Sequence, residues 1–149
     1  MSIKYKTTSD DIRGALPPGP VIAYHLEGDY DSGAPVSRPG YLRGSRILES
    51  QAVSETLSTQ LRTIFLDPGS YGEDSMRCFI PRFGITAGSG TEAVDVLICT
   101  ECLWAYFLQG DVCTVERLSE LGRLRLDALH MELFPPPIVE PARARRKRR

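Results

Sequence analysis

Apolar residues along this chain change their period several times, and each change marks an element. Val21-Ile22-Ala23-Tyr24-His25-Leu26 is a compact β-branched and aromatic run that predicts a first strand. Gly28, Gly33, Pro35, Pro39 and Gly40 then predict a long loop over 28–40. Tyr41 to Leu48 alternates loosely and predicts a second strand. Val53, Leu57, Leu61, Ile64 and Phe65 recur at the spacing of one helix face, with Ser50 or Ser54 placed to cap its start. Asp67-Pro68-Gly69 ends that helix, because proline disfavours helical geometry in the residue before it. Arg77 to Thr86 predicts a strand, with Pro81 marking a bulge or an edge. The turn Ala87–Gly90 joins it to the longest β-like run, Ala93 to Leu108. Gln109-Gly110-Asp111 is a second turn, and Val112 to Leu118 completes a meander. Ser119 then reads as a helix cap, and Leu121, Leu124, Ala128, Leu129 and Leu133 as a second helical stripe that stops at Pro135-Pro136-Pro137.

The order is β-β-α-β-β-β-α. Strands joined by tight turns, with two helices outside them, predict an α+β fold: an antiparallel sheet of about five strands with both helices packed on one face. The punctuation divides the chain into a flexible leader over 1–20, one domain over 21–134 and a Pro-rich, then basic, disordered tail over 135–149. A length of 149 residues suits one such domain.

Charge sharpens this division. Lys and Arg number 18 against 19 Asp and Glu, a formal net charge of −1. Six of the cations are Arg143, Arg145, Arg146, Lys147, Arg148 and Arg149, which leaves 12 against 19 and a body of −7. A body of that sign is a poor polyanion binder, so nucleic acid is expected only through the tail. No apolar run approaches the roughly 20 residues that a membrane helix needs, and Asp10 and Asp11 sit where a signal peptide would be apolar. The expected location is the cytoplasm, with no membrane partner.

In a reducing compartment Cys78, Cys99, Cys102 and Cys113 are expected as free thiols. Zinc is the one cofactor they bring into question. They offer a single close pair, Cys99-Thr100-Glu101-Cys102, where structural zinc sites usually show two. If that pair lies within a strand, its side chains point to opposite faces, which does not suit a redox motif. His25 and His130 have no nucleophile signature beside them. Gly88-Ser89-Gly90-Thr91 lacks the lysine of a phosphate loop, and Glu27, Asp29 and Asp31 do not follow calcium-loop spacing.

Function is therefore expected to be non-catalytic: a binding or protein-interaction module whose partner is another protein or a second copy. Trp104 and Tyr106 share one face of a long strand and are the interaction candidates, together with the six tail cations. The alternative is a thiol-redox or structural zinc protein using Cys78, Cys99, Cys102 and Cys113.

Two segments carry a resemblance. Cys78-Phe79-Ile80-Pro81-Arg82-Phe83-Gly84-Ile85, followed by Val94-Asp95-Val96-Leu97-Ile98-Cys99-Thr100-Glu101-Cys102, resembles an uncharacterised bacterial family with the pattern CFxPRHGI, a turn, and a stretch like VDLVICFEC. The helix before it and Pro68 to Tyr71 are also similar, so the likeness spans roughly residues 41 to 133. It implies no activity. This chain departs from it at Phe83, where the family has histidine; a Cys-His-Cys-Cys metal quartet in those relatives would lack one ligand here.

Overall fold

A computed structural model describes residues 4–6, 16–74 and 78–137. In chain order the elements are β1 (Lys4–Lys6), β2 (Val21–Leu26), β3 (Ser37–Arg38), β4 (Tyr41–Leu42), β5 (Ser45–Ala52), α1 (Glu55–Leu66), β6 (Phe83–Ala87), β7 (Val94–Cys99), β8 (Trp104–Gln109), β9 (Val112–Arg117) and α2 (Glu120–Leu133). The fold is α+β, with two α-helices and one mainly antiparallel sheet among the described residues. Strands β1, β9, β8, β7, β6, β2 and β5 lie side by side, and the two-residue strands β4 and β3 extend the sheet from β5. Among the described residues only the β1–β9 pairing is parallel.

The sheet is thus longer than the expected five strands, for three physical reasons. The Ala93–Leu108 run is two strands, because Thr100 to Leu103 turn back and Leu103 takes a left-handed φ of 62°. Ser37–Arg38, at the end of the 28–40 loop, pairs as β3 with β4, and the expected strand Tyr41–Leu48 is broken into β4 and the start of β5 by the left-handed φ values of Arg43, 53°, and Gly44, 94°. Lys4–Lys6, inside the expected leader, pairs with Val112–Thr114. The end of that leader is also held: Arg62 on α1 donates to the carbonyls of Leu16 at 3.0 Å and Gly19 at 3.2 Å.

Both helices cover one face of the sheet. Alternate residues Val21 and Ala23, Phe83 and Ile85, Val94, Val96 and Ile98, and Ala105 and Phe107 meet Leu61, Ile64 and Phe65 of α1 and Leu126, Leu129 and Leu133 of α2. Each such side chain taken from water contributes about 1.5–3 kcal/mol, so this layer dominates stability. Ser54 caps α1, accepting from the Leu57 amide, and Ser119 caps α2, accepting from the Gly122 amide. Asp67, just after α1, accepts from the Gly69 amide at 2.8 Å and pairs with Arg125 of α2 at 2.7 Å, joining the two helices. The buried stripe of α2 is Gly122, Leu126, Leu129 and Leu133. Leu121 and Leu124, expected on the core face, point outward instead, because Gly122 is the residue that lets the helix approach the turn at Ser70.

Candidate functional site

The opposite face of the sheet carries a second, smaller core with no helix in it. Leu26, Leu42, Leu97, Leu108 and Cys113 are buried there, with Tyr24, Tyr30, Ile47, Phe79, Tyr106 and Val115 packed against them. Its cover is made of loops, the 28–44 segment and the 78–82 segment, so its geometry depends on polar and special-backbone contacts.

The 28–44 loop is fixed from within. Gly44 has φ +94°, and a side chain there would overlap the Asp31 carbonyl oxygen. Asp31 accepts the Gly33 amide at 2.9 Å, and Asp29 accepts the Arg46 amide at 3.1 Å. The acidic residues of this loop therefore serve its own turns. Next to Gly44, Arg43 adopts φ 53° and turns into the layer. Its Nε donates to Asp95 Oδ2 at 2.6 Å and its Nη1 to the Gly110 carbonyl at 2.7 Å. Asp95 Oδ1 accepts in turn from the Thr86 hydroxyl at 2.6 Å. Neither Arg43 nor Asp95 is announced by periodicity or motif; the available signal is a lone aspartate in the apolar strand Val94–Cys99, which needs a partner when removed from water.

Tyr106 lies under the 78–82 loop. Phe79 stacks on it at 3.8 Å between ring centres and 5° between planes, and Tyr30 meets both rings edge-on. Trp104 is half-buried on the same face, with Arg117 over its ring at 5.5 Å. The tail cations Arg143, Arg145, Arg146, Lys147, Arg148 and Arg149 lie outside the described residues.

The cysteines divide three to one. Cys99 ends β7 and Cys102 sits in the following turn, not within a strand as expected. Cys99 Sγ accepts the amides of Cys102 at 3.2 Å and Ile80 at 3.4 Å, tying the 78–82 loop to the turn. Cys78 Sγ then lies 2.9 Å from Cys102 Sγ. Contact with Cys102 and loss of water raise the Cys78 pKa above the ordinary thiol value; burial does the same to Cys102. Cys113 stands apart. It pairs with Leu108, whereas Cys99 pairs with Trp104, four residues along β8. Burial pushes its thiol up to about 12, with Arg43 opposing the shift. Among the described residues no group of three or more His, Cys, Asp or Glu is arranged to hold a metal ion.

The two histidines, read separately from sequence, meet on the helix-covered face. His25 Nδ1 and His130 Nε2 are 2.9 Å apart, one donating and the other accepting. Phe83 stacks on His130 at 4.7 Å and 12°, and Phe134 on His25 at 5.7 Å. Burial first, then the neighbouring His25, lowers the His130 pKa to about 4. Phe83 thus supplies an apolar ring that packs against His130.

No helix among the described residues is long and apolar enough to cross a membrane. No family model matches this chain, and no curated protein or solved structure is significantly similar to it.

Proposed function

We propose that this chain is a non-catalytic interaction domain of the bacterial cytoplasm that docks a second copy of itself through the outer face of α2. The observation that carries the reading is an exposed apolar stripe. Leu121, Leu124 and Met131 are 44%, 52% and 60% exposed, and Ala128 is exposed between them. Their spacing of three, four and three is that of a seam packed against another helix. Along the seam runs a groove of about 470 Å³ between α1 and α2, with Ile64, Ala128 and Leu129 in its lining and Thr59 and Thr63 beside them. Protruding Leu124 and Met131 next to a hollow with an apolar floor and a rim that carries Asp67, Arg125 and Glu132 make a surface that a two-fold axis satisfies with itself, since knob and hole lie on the same patch. On this reading docking lies on α2, away from Trp104 and Tyr106.

Light scattering after size exclusion tests the reading. The expected mass is that of a dimer at tens of micromolar chain, and Leu124→Glu gives a monomer with an unchanged circular dichroism spectrum. A wild-type chain that stays monomeric throughout that range overturns self-docking. A dimer indifferent to Leu124→Glu overturns the assignment to α2.

A further inference from the structure

We infer that Cys78 and Cys102 form a reversible intramolecular disulfide that clasps the 78–82 loop over the second face of the sheet. The two sulfurs, 2.9 Å apart, need less than 1 Å of approach to reach the roughly 2.05 Å of a bond. Cys78 is exposed and receives an oxidant from solvent, whereas Cys102 is buried beneath it. Cys99 is the third sulfur of the cluster, yet it is committed elsewhere: its Sγ accepts the Ile80 and Cys102 amides and holds loop and turn in register. That arrangement selects Cys78–Cys102 over the sequence-adjacent Cys99–Cys102 pair. It also favours a disulfide over a metal: Cys113 pairs with Leu108, away from the other three sulfurs, and among the described residues no group of three or more His, Cys, Asp or Glu is arranged to hold an ion.

The oxidant is a low-molecular-weight disulfide such as oxidised glutathione. Cys78 loses its proton and its sulfur attacks one sulfur of the oxidant, which releases one thiolate that takes up a proton. Cys102, deprotonated in turn, attacks the Cys78 sulfur of the mixed disulfide and expels the second thiol. Two protein thiols are oxidised, one small disulfide is reduced to two thiols, and the two protons pass to the leaving groups. The raised thiol pKa values make the thiolate scarce at neutral pH, so the reaction is slow there and accelerates with alkalinity.

The bond matters because of what the loop covers. Phe79 follows Cys78 directly and stacks on Tyr106. In the reduced form Phe79 is held by that stacking and by Arg82, which donates to the Glu27 carbonyl at 3.1 Å. In the oxidised form the loop is bonded to the turn, and the closed ring spans both β6 and β7.

The full-length chain, fully reduced and then exposed to oxidised glutathione, provides the test. Titration in denaturant is expected to fall from four free thiols to two. Trypsin separates residues 78–82 from residues 83–117, so the expected bond joins these two peptides. It persists in Cys99→Ser and disappears in Cys78→Ser, a change at an exposed position that leaves the core intact. The oxidised chain is expected to melt about 5–10 °C higher than the reduced one. Peptide 78–82 recovered unlinked, or linked only between molecules, overturns the inference. So does stoichiometric zinc that protects the thiols from oxidation.

Discussion

Arg43 and Asp95 form the one ion pair in the described structure whose arginine is nearly sealed from water: the Arg43 side chain is 6% exposed and its Nε is 2.6 Å from Asp95 Oδ2. Arg43 reaches that position only by taking a left-handed backbone conformation beside Gly44. Strain of this kind persists where surrounding contacts over-determine it. Arg43→Met leaves Asp95 without its cation on a face that has no helix to compensate. The expected cost is about 3–5 kcal/mol in denaturant unfolding. The double variant with Asp95→Asn is expected to recover much of that loss, because an uncompensated buried charge costs more than a missing pair. Equal losses in the single and double variants would show that the pair is not coupled.

Cys113 provides a chemical readout of the same region. With its thiol pushed up to about 12, it stays protonated and unreactive toward thiol reagents at pH 8 in the folded chain. Labelling is expected only after denaturation. Arg43→Met removes the opposing cation and raises the value further. Rapid modification of Cys113 in the native protein would contradict its burial.

The histidine pair makes stability depend on pH with a defined sign. His130 titrates near 4 in the folded state against an ordinary value of 6.5, so between these limits the unfolded chain binds the additional proton. Stability is then full above about pH 6.5 and declines as pH falls toward 4, after which this group contributes no further loss. The groups facing His130 are His25, which disfavours its charge, and Asp127, which partly favours it. His130→Gln is expected to flatten this part of the profile, and the imidazole resonances of His130 in the wild type should shift near pH 4. A profile unchanged by the substitution would exclude the pair as its source.

Much of the helix-covered layer was legible in the sequence, and most of the loop-covered layer was not. The α1 stripe and the Ser54 and Ser119 caps are local signals, and each appears where its spacing places it. The helical period of α2 was equally clear, but its sequence carries two apolar stripes, and Leu121 and Leu124 belong to the exposed one. Only the position of Gly122 against Ser70 decides between them. On the other face, Arg43 meets Asp95 across 52 residues and Cys78 meets Cys102 across 24. Such meetings depend on strand register and on the Thr100–Leu103 turn, which no periodicity announces. His25 and His130 are 105 residues apart and meet for the same reason.

Gly122 tests that account of α2. A methyl group there would overlap the carbonyl oxygen of Ser70, whose hydroxyl donates to the Ile64 carbonyl at 2.5 Å and whose carbonyl accepts the Ser119 amide at 2.8 Å. In an exposed helix interior, Gly→Ala is stabilising by about 1 kcal/mol through propensity. Here the clash with fixed backbone reverses the sign, and Gly122→Ala is expected to destabilise by about 1–3 kcal/mol. Stabilisation would mean that the start of α2 is free to move away from the turn.

The tail makes a separate prediction, because the charge split leaves a body of −7 beside six cations. Deleting residues 143–149 is expected to leave the unfolding midpoint in place and to abolish retention on heparin at low salt. Retention by the full chain should fall as salt rises, since each of the contacts made by the six tail cations releases counterions. A truncated chain that still binds heparin would place a cationic surface on the folded body. A truncated chain that melts several degrees lower would show instead that the tail docks on that acidic body and contributes to its stability.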